Sequence, residues 1–262
     1  MAAASEAEIL LDLFERLALE AGRKIMRVYR QGDAVERKAD ASPVTEADRG
    51  AEKIILAGLR EARPAIPCVA EEEVSAGIVP AELGETFFLV DPLDGTREFV
   101  DRRADFTVNI ALVRHGVPQV GVVFAPCTGR LYRGRPGLAE RVETDTGRRR
   151  PIAVRTGKAP LAVVASRSHN TPETVEYIAG LGATEIVSVG SSLKFCLLAE
   201  GAADVYPRFS RTMEWDTAAG DAVLRAAGGA TVTLDGRPLA YGKRNQPHDA
   251  DFANPHFIAR GR

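Results

Sequence analysis

Apolar residues recur at Ile9, Leu10, Leu13, Phe14, Leu17, Ala21, Ile25, Val28 and Tyr29, the three-to-four spacing of a single helix face. Ser5-Glu6-Ala7-Glu8 ahead of them fits a capping box. The pattern predicts one long amphipathic helix over 6–30, ended by Gly32-Asp33. A short strand over 34–38 and a polar loop over 38–43 follow. Thr45-Glu46-Ala47-Asp48 is a second capping signature. It opens a helix that carries Ile54, Ile55 and Leu59 and runs to about Ala62. Residues 66–70 read as a strand that delivers Glu71-Glu72-Glu73 at its end, and 75–85 as a loop. The apolar run Phe87-Phe88-Leu89-Val90 is a buried strand running into Asp91-Pro92-Leu93-Asp94-Gly95-Thr96. Residues 106–113 and 117–124 read as a hairpin about His115-Gly116, with short strands at 130–134 and 138–142.

The rhythm then changes. Residues 145–151 are the most linker-like stretch, and the chain is divided there into halves, 1–150 and 151–262. In the second half, strands at 161–165, 185–189, 203–206 and 230–234 alternate with helices at 172–181, 191–200 and 215–227. Such alternation predicts an α/β half with parallel pairing, behind an α+β first half.

Composition narrows the classes. With 262 residues, 45% of them apolar and 27% charged, the chain is globular. A net charge of −2 argues against a protein that coats a nucleic acid polymer, while leaving room for a local basic pocket. Cys68, Cys127 and Cys196 are too few and too scattered for a zinc site or a disulfide framework. Glu6, Glu8 and Asp12 stand where a signal peptide carries basic residues. No apolar run approaches the ~20 residues of a transmembrane helix. The expected location is the cytoplasm, with peripheral attachment to the inner face of the membrane left open.

Candidate chemistry gathers on Glu71, Asp91, Asp94 and Asp216. Paired acids at a strand tip, with Pro92 stiffening one side of a bend and Gly95 freeing the other, suit a hard divalent cation, although an isolated Asp-x-x-Asp-Gly also makes an ordinary turn. Asp216 follows the single tryptophan, Trp215, and precedes Thr217-Ala218-Ala219-Gly220. By its spacing alone it reads first as an N-cap or first-turn acid facing a helix dipole, and second as a ligand. Asp48 by itself is a first-turn acid, and Glu72 an exposed glutamate or a supporting acid.

Taken together and in order, Glu71-Glu72, Asp91-Pro92-Leu93-Asp94-Gly95-Thr96 and Trp215-Asp216-Thr217-Ala218-Ala219-Gly220 resemble the three signatures of the inositol monophosphatase superfamily. Its members are lithium-sensitive, Mg²⁺-dependent phosphatases. Arg97-Glu98-Phe99, Ser166-Arg167-Ser168-His169, Gly190 to Cys196, Tyr206-Pro207-Arg208-Phe209 and Asn254-Pro255 are similar to its 3′(2′),5′-bisphosphate nucleotidase branch. The resemblance covers nearly the whole chain. It implies a layered αβαβα sandwich of α/β (α+β) class, two or three Mg²⁺ ions, and hydrolysis of the 3′-phosphate of adenosine 3′,5′-bisphosphate or of its sulfated analogue. It further implies Glu71, Asp91, the carbonyl of Leu93, Asp94 and Asp216 as metal ligands, and Asp48, Thr96 and Glu72 in the handling of water and protons. Gly95, Thr96, His169, Ser191, Lys194, Arg208 and Asp216 are implied as substrate contacts. Arg97 stands where many relatives carry Lys, and Glu73 lengthens the acid run beyond the usual pair. The partner is then a small nucleotide bisphosphate, and the chain a monomer or homodimer. An inositol or general sugar phosphatase, and a non-catalytic metal- or nucleotide-binding protein, are the alternatives.

Overall fold

The computed structural model describes residues 5–31, 35–37, 43–157, 161–166, 171–182 and 185–262. The first apolar stripe forms α1 (Glu6–Gln31), which lies against α2 (Glu46–Ala62). Between them, β1 (Val35–Arg37) and β2 (Pro43–Thr45) pair antiparallel. A seven-stranded sheet follows in chain order: β3 (Cys68–Ala70), β4 (Thr86–Asp94), β5 (Thr107–Arg114), β6 (Val117–Ala125), β7 (Arg130–Arg135), β8 (Leu138–Glu143) and β9 (Arg148–Pro151). Only β3 and β4 run parallel; the rest form a meander. Two short helices interrupt the first half, α3 (Glu71–Ser75) and α4 (Thr96–Val100).

The second sheet has the order β11-β10-β12-β14-β13. β10 (Ala162–Ser166) is flanked in parallel by β11 (Glu185–Val189) and β12 (Val205–Arg208), while β14 (Phe257–Arg260) runs antiparallel to both β12 and β13 (Ala230–Thr233). Three helices belong to this half: α5 (Pro172–Gly180), α6 (Leu193–Ala199) and α7 (Glu214–Ala226).

Period-two alternation sorts each sheet's side chains into separate cores. On β4, Phe88 and Val90 join α1 and α2, with Phe14 edge-on to Phe88 at 5.7 Å. Phe87 and Leu89 point the other way, into a cluster with Phe195 of α6 and Trp215, Ala218 and Ala219 of α7. On β10, Ala162 and Val164 enter that middle cluster, while Val163 and Ala165 meet Ile178 of α5. The layers are therefore α1/α2, sheet, α6/α7, sheet, α5, which is the expected αβαβα sandwich. The middle layer belongs to both sheets, so the halves share a core.

Close approach of α7 to the first sheet depends on missing side chains. A Cβ on Gly121 of β6 would lie 2.5 Å from the carbonyl oxygen of Ala219, and one on Gly134 of β7 would lie 2.7 Å from Val223 Cα. With Ala219, Ala222 and Ala226 on the facing side of the helix, α7 lies close to the sheet, which fixes the height of its first turn, while Gly220 makes room for Phe195 of α6.

Several expectations change in detail. The stretch read as linker is a turn followed by β9, paired to β8. α3, α4 and β14 were not expected. The helix expected from Ser191 begins at Leu193. The expected loop over 38–43 falls largely in residues outside those described. Among the described residues, no helix is long and apolar enough to cross a membrane.

α2 buries two acids one turn apart, Asp48 and Glu52. Glu52 Oε2 accepts the Glu72 amide at 2.8 Å. Burial, opposed by that bond, raises its pKa from 4.5 to about 7. An acid that binds its proton more tightly folded than unfolded favours the fold fully below pH 4.5, and that contribution is lost as pH rises to about 7. Glu52→Gln keeps an acceptor without the ionisation. Urea denaturation at pH 5 and pH 8 should show the variant gaining on the parent at the higher pH by on the order of 2–3 kcal/mol. A pH-independent difference contradicts this assignment. Gly121→Ala should cost about 1–3 kcal/mol in the same measurement, because the Ala219 carbonyl must move aside.

Candidate active site

β4 ends in Asp91-Pro92-Leu93-Asp94. In a regular strand, residues three apart face opposite sides. Here Asp91 pairs with Asn109 and Asp94 with Thr107, so three steps on β4 match two on β5, a one-residue irregularity. Asn109 and Thr107 share one face of β5, and the bulge therefore brings Asp91 and Asp94 to the same side. Asp91 Oδ1 accepts the Leu93 amide at 3.0 Å, which closes the bend around Pro92. Gly95 follows with φ +92°, and a Cβ there would sit 3.1 Å from the Asp105 carbonyl oxygen. Thr96 then opens α4.

The other acids arrive from three directions. β3 is parallel to β4 with Ala70 opposite Val90, so Glu71 leaves β3 beside Asp91. Asp216 lies in the first turn of α7, where its Oδ2 accepts the Met213 amide at 2.8 Å. Asp48 is buried in the first turn of α2. Its Oδ2 lies 3.5 Å from Thr96 Oγ1, which is also 3.2 Å from the Leu93 carbonyl. The hydroxyl has one proton and serves one of these acceptors at a time.

Burial first, and then the carboxylates of Glu71, Asp94, Asp216 and Asp48, hold Asp91 well above the usual carboxylate range. Burial, Asp94 and Glu71 do the same to Asp216. Asp94 is raised by burial, against the opposing pull of Lys194 and the bonds from Ser192. Five acids thus share one another's field in a poorly solvated place. All the donors are oxygens, the ligand type of a hard cation. Thr107 Oγ1 and Asn109 Oδ1 add two buried oxygens with no hydrogen-bond partner among the described residues. The donor chemistry fits Mg²⁺. The acids do not close into a cage: among the described residues, no three His, Cys, Asp or Glu side chains form a group ready to hold an ion. Asp91, Asp94 and Asp216 each take a backbone amide.

A cleft of about 320 Å³ opens over these acids, lined by Glu71, Asp94, Gly95, Thr96 and Asp216 on one side and Ser191, Lys194 and Arg208 on the other. The proposed substrate residues differ in what they can still do. Lys194 is buried and gives Nζ to the carbonyls of Ser191 at 2.6 Å and Val189 at 3.4 Å. Burial lowers its pKa to about 8. Ser191 sits two residues before α6, in the left-handed region at φ +48°, with its Oγ 3.5 Å from the Leu193 amide. Arg208 is 9% exposed. Its Nη2 holds the Arg211 carbonyl at 3.2 Å, and its Nε has no hydrogen-bond partner among the described residues. Glu72 offers its backbone amide to Glu52, and its side chain is half-buried outside the cleft lining. His169 lies outside the described residues.

Four residues in this arrangement were not foreseen: Glu52, Asn109, Ser192 and Arg211. Ser192 gives its amide (2.6 Å) and its hydroxyl (2.9 Å) to Asp94 Oδ2, and its hydroxyl also lies 2.5 Å from the Asp216 carbonyl. Nothing in Gly190-Ser191-Ser192 separates the two serines before the backbone turn is known. Arg211 lines the cleft and meets Asp249 at 3.2 Å.

Residues 7–256 match the model of the inositol monophosphatase family. The 3′(2′),5′-bisphosphate nucleotidase CysQ of Escherichia coli (strain K12) is 46% identical over 251 residues, covering 95% of this chain and 98% of that protein. The CysQ crystal structure from Bacteroides thetaiotaomicron, a bacterial member of the inositol monophosphatase family, superposes with a TM-score of 0.78 at 39% identity, over 96% of each chain. An inositol monophosphatase structure from Anabaena (Nostoc) sp. PCC 7120 gives 0.75 at 26% identity, over 98% of this chain and 92% of the other. A signature-bearing strand tip, the αβαβα layering and end-to-end similarity agree, and the chain belongs to the inositol monophosphatase family.

Proposed function

We propose that this chain is a Mg²⁺-dependent 3′(2′),5′-bisphosphate nucleotidase. It hydrolyses the 3′-phosphate of adenosine 3′,5′-bisphosphate to give AMP and phosphate, and takes the sulfated analogue as a second substrate. The carrying observation is the pairing, across one cleft, of a buried carboxylate cluster with a buried guanidinium, Arg208, that has a donor to spare. The first suits an ion and a phosphoryl group. The second suits another anionic group on the same substrate, which a sugar monophosphate lacks. Likeness to bisphosphate nucleotidases over nearly the full chain supports the same reading.

Glu71, Asp91, the Leu93 carbonyl, Asp94 and Asp216 would hold two or three ions. Bound Mg²⁺ supplies charge neutralisation on the phosphoryl oxygens, a more acidic water and a stabilised leaving oxygen. The chain's own groups do the rest. Thr96 Oγ1, between Asp48 and the Leu93 carbonyl, orients the attacking water and passes its proton towards Asp48. The amides of Gly95 and Thr96 face the phosphate. Arg208 binds the distal phosphate. Lys194 holds the turn that carries Ser191, and Ser191 and His169 complete the nucleotide contacts. Glu72 supports the Glu71 turn through its backbone. In this scheme 1–150 carries most metal ligands, while 151–262 carries the nucleotide contacts and Asp216.

With Mg²⁺ present, turnover of adenosine 3′,5′-bisphosphate should exceed that of inositol 1-phosphate. A preference for inositol 1-phosphate makes the chain an inositol phosphatase instead, and release of no phosphate from either makes it a binding protein. Asp94→Asn should lower kcat/KM by about a hundredfold, through loss of charge at a metal ligand; near-normal turnover contradicts the ligand set. Arg208→Gln should raise KM for the bisphosphate by about tenfold or more while leaving KM for adenosine 3′-monophosphate nearly unchanged, because one charge-assisted contact is lost.

A further inference from the structure

Asp94 has an asymmetric environment. The donors that reach it among the described residues all converge on Oδ2: the Ser192 amide at 2.6 Å, the Ser192 hydroxyl at 2.9 Å and Asn109 Nδ2 at 3.4 Å. A carboxylate oxygen that accepts the Ser192 amide and shares the Ser192 hydroxyl proton with the Asp216 carbonyl has less basicity left for a cation, and Oδ1 keeps it. Ser192 is 2% exposed. Its hydroxyl receives Asn109 Nδ2 at 2.9 Å and directs its own proton between Asp94 Oδ2 and the Asp216 carbonyl.

The turn that carries Ser192 is itself immobilised. Gly190 donates its amide to Asp105 Oδ2 at 3.2 Å, and a Cβ on Gly190 would lie 2.8 Å from the Asp105 carbonyl oxygen. Ser191 takes a left-handed backbone, which is costly for a residue with a side chain. Lys194 secures the Ser191 carbonyl from beneath. A second-half loop is thus pressed onto first-half acids, with one small side chain touching β4, β5 and α7.

We propose that Ser192 is a positioning residue: it occupies Asp94 Oδ2 so that Asp94 presents Oδ1 alone to the cation, and it ties that orientation to the position of Asp216. The proposal rests on the reading of Asp94 as a cation ligand. It adds that cation affinity depends on a hydroxyl from the substrate-facing half. Groups that orient ligands in this way are commonly worth about 10–100-fold in metal affinity or activity.

The test uses the full chain. Mg²⁺ binding is measured by titration calorimetry without substrate, and the Mg²⁺ half-saturation of turnover is measured separately. Ser192→Ala retains the amide bond to Oδ2 but loses the hydroxyl. It should raise both Mg²⁺ constants about tenfold while KM for the bisphosphate at saturating Mg²⁺ stays within about twofold. Ser192→Thr, which keeps the hydroxyl, should recover most of the loss. If Ser192→Ala binds Mg²⁺ like the parent while KM rises, Ser192 touches substrate and the proposal fails. It fails equally if the variant loses thermal stability with Mg²⁺ affinity unchanged. If Ser192→Ala does not fold, Asn109→Ala serves instead, with an expected weakening of Mg²⁺ binding of about threefold; unchanged affinity overturns the proposal. A parent protein that binds no Mg²⁺ sinks the phosphatase reading itself, a result distinct from any of these.

Discussion

Buried negative charge is the constraint on which the rest of the structure depends. Burial and the carboxylates of Glu71 and Asp94 hold both Asp91 and Asp216 well above the usual carboxylate range. Isolated carboxylates do not survive burial uncompensated. Around this cluster the chain supplies backbone amides at Leu93, Ser192 and Met213, hydroxyls at Thr96 and Ser192, and the cation of Lys194 beside Asp94. What remains is an excess of oxygen donors over positive charge, which is the affinity a divalent cation uses.

Such a cluster must be assembled with small tolerances, and the fold supplies them through rigid packing. Parallel pairing of β3 with β4 sets Glu71 beside Asp91. A bulge turns Asp94 to the same side. α7 brings Asp216, and its height is set by glycines on the sheet beneath and alanines on its own underside. α2 contributes twice from adjacent turns: Asp48 meets Thr96 and Glu52 meets the start of α3. Since α6 and α7 lie between the sheets, stability of the middle core and geometry of the site are one matter.

The polar side of the cleft carries two buried cations. Lys194 gives two of its three protons to backbone carbonyls, and its charge holds a turn and offsets Asp94. Arg208 keeps a donor in reserve. Under the proposed function, a substrate with two separated anionic groups would use both the acid cluster and this guanidinium.

Much of this was legible in the order of residues. Apolar spacing placed α1, α2 and α7, and alternation placed the β5–β6 hairpin, because those signals come from a single face of a single element. Three acidic signatures in register disclosed the family and the carboxylates. Short elements escaped: α3, α4, β9 and β14 owe their form to neighbours more than to their own pattern, and exposed Arg148 to Arg150 read as a linker although they complete a sheet. The sequence alone determined which acids exist, in what order, and on which strand ends and helix starts they sit. Only the tertiary structure decided that Asp91 and Asp94 face the same way, that Ser192 and not Ser191 holds Asp94, and that Lys194 reaches the carbonyls of Val189 and Ser191. Those outcomes depend on a one-residue shift in register between the adjacent strands β4 and β5 and on one left-handed turn, the latter packed against a segment about a hundred residues away.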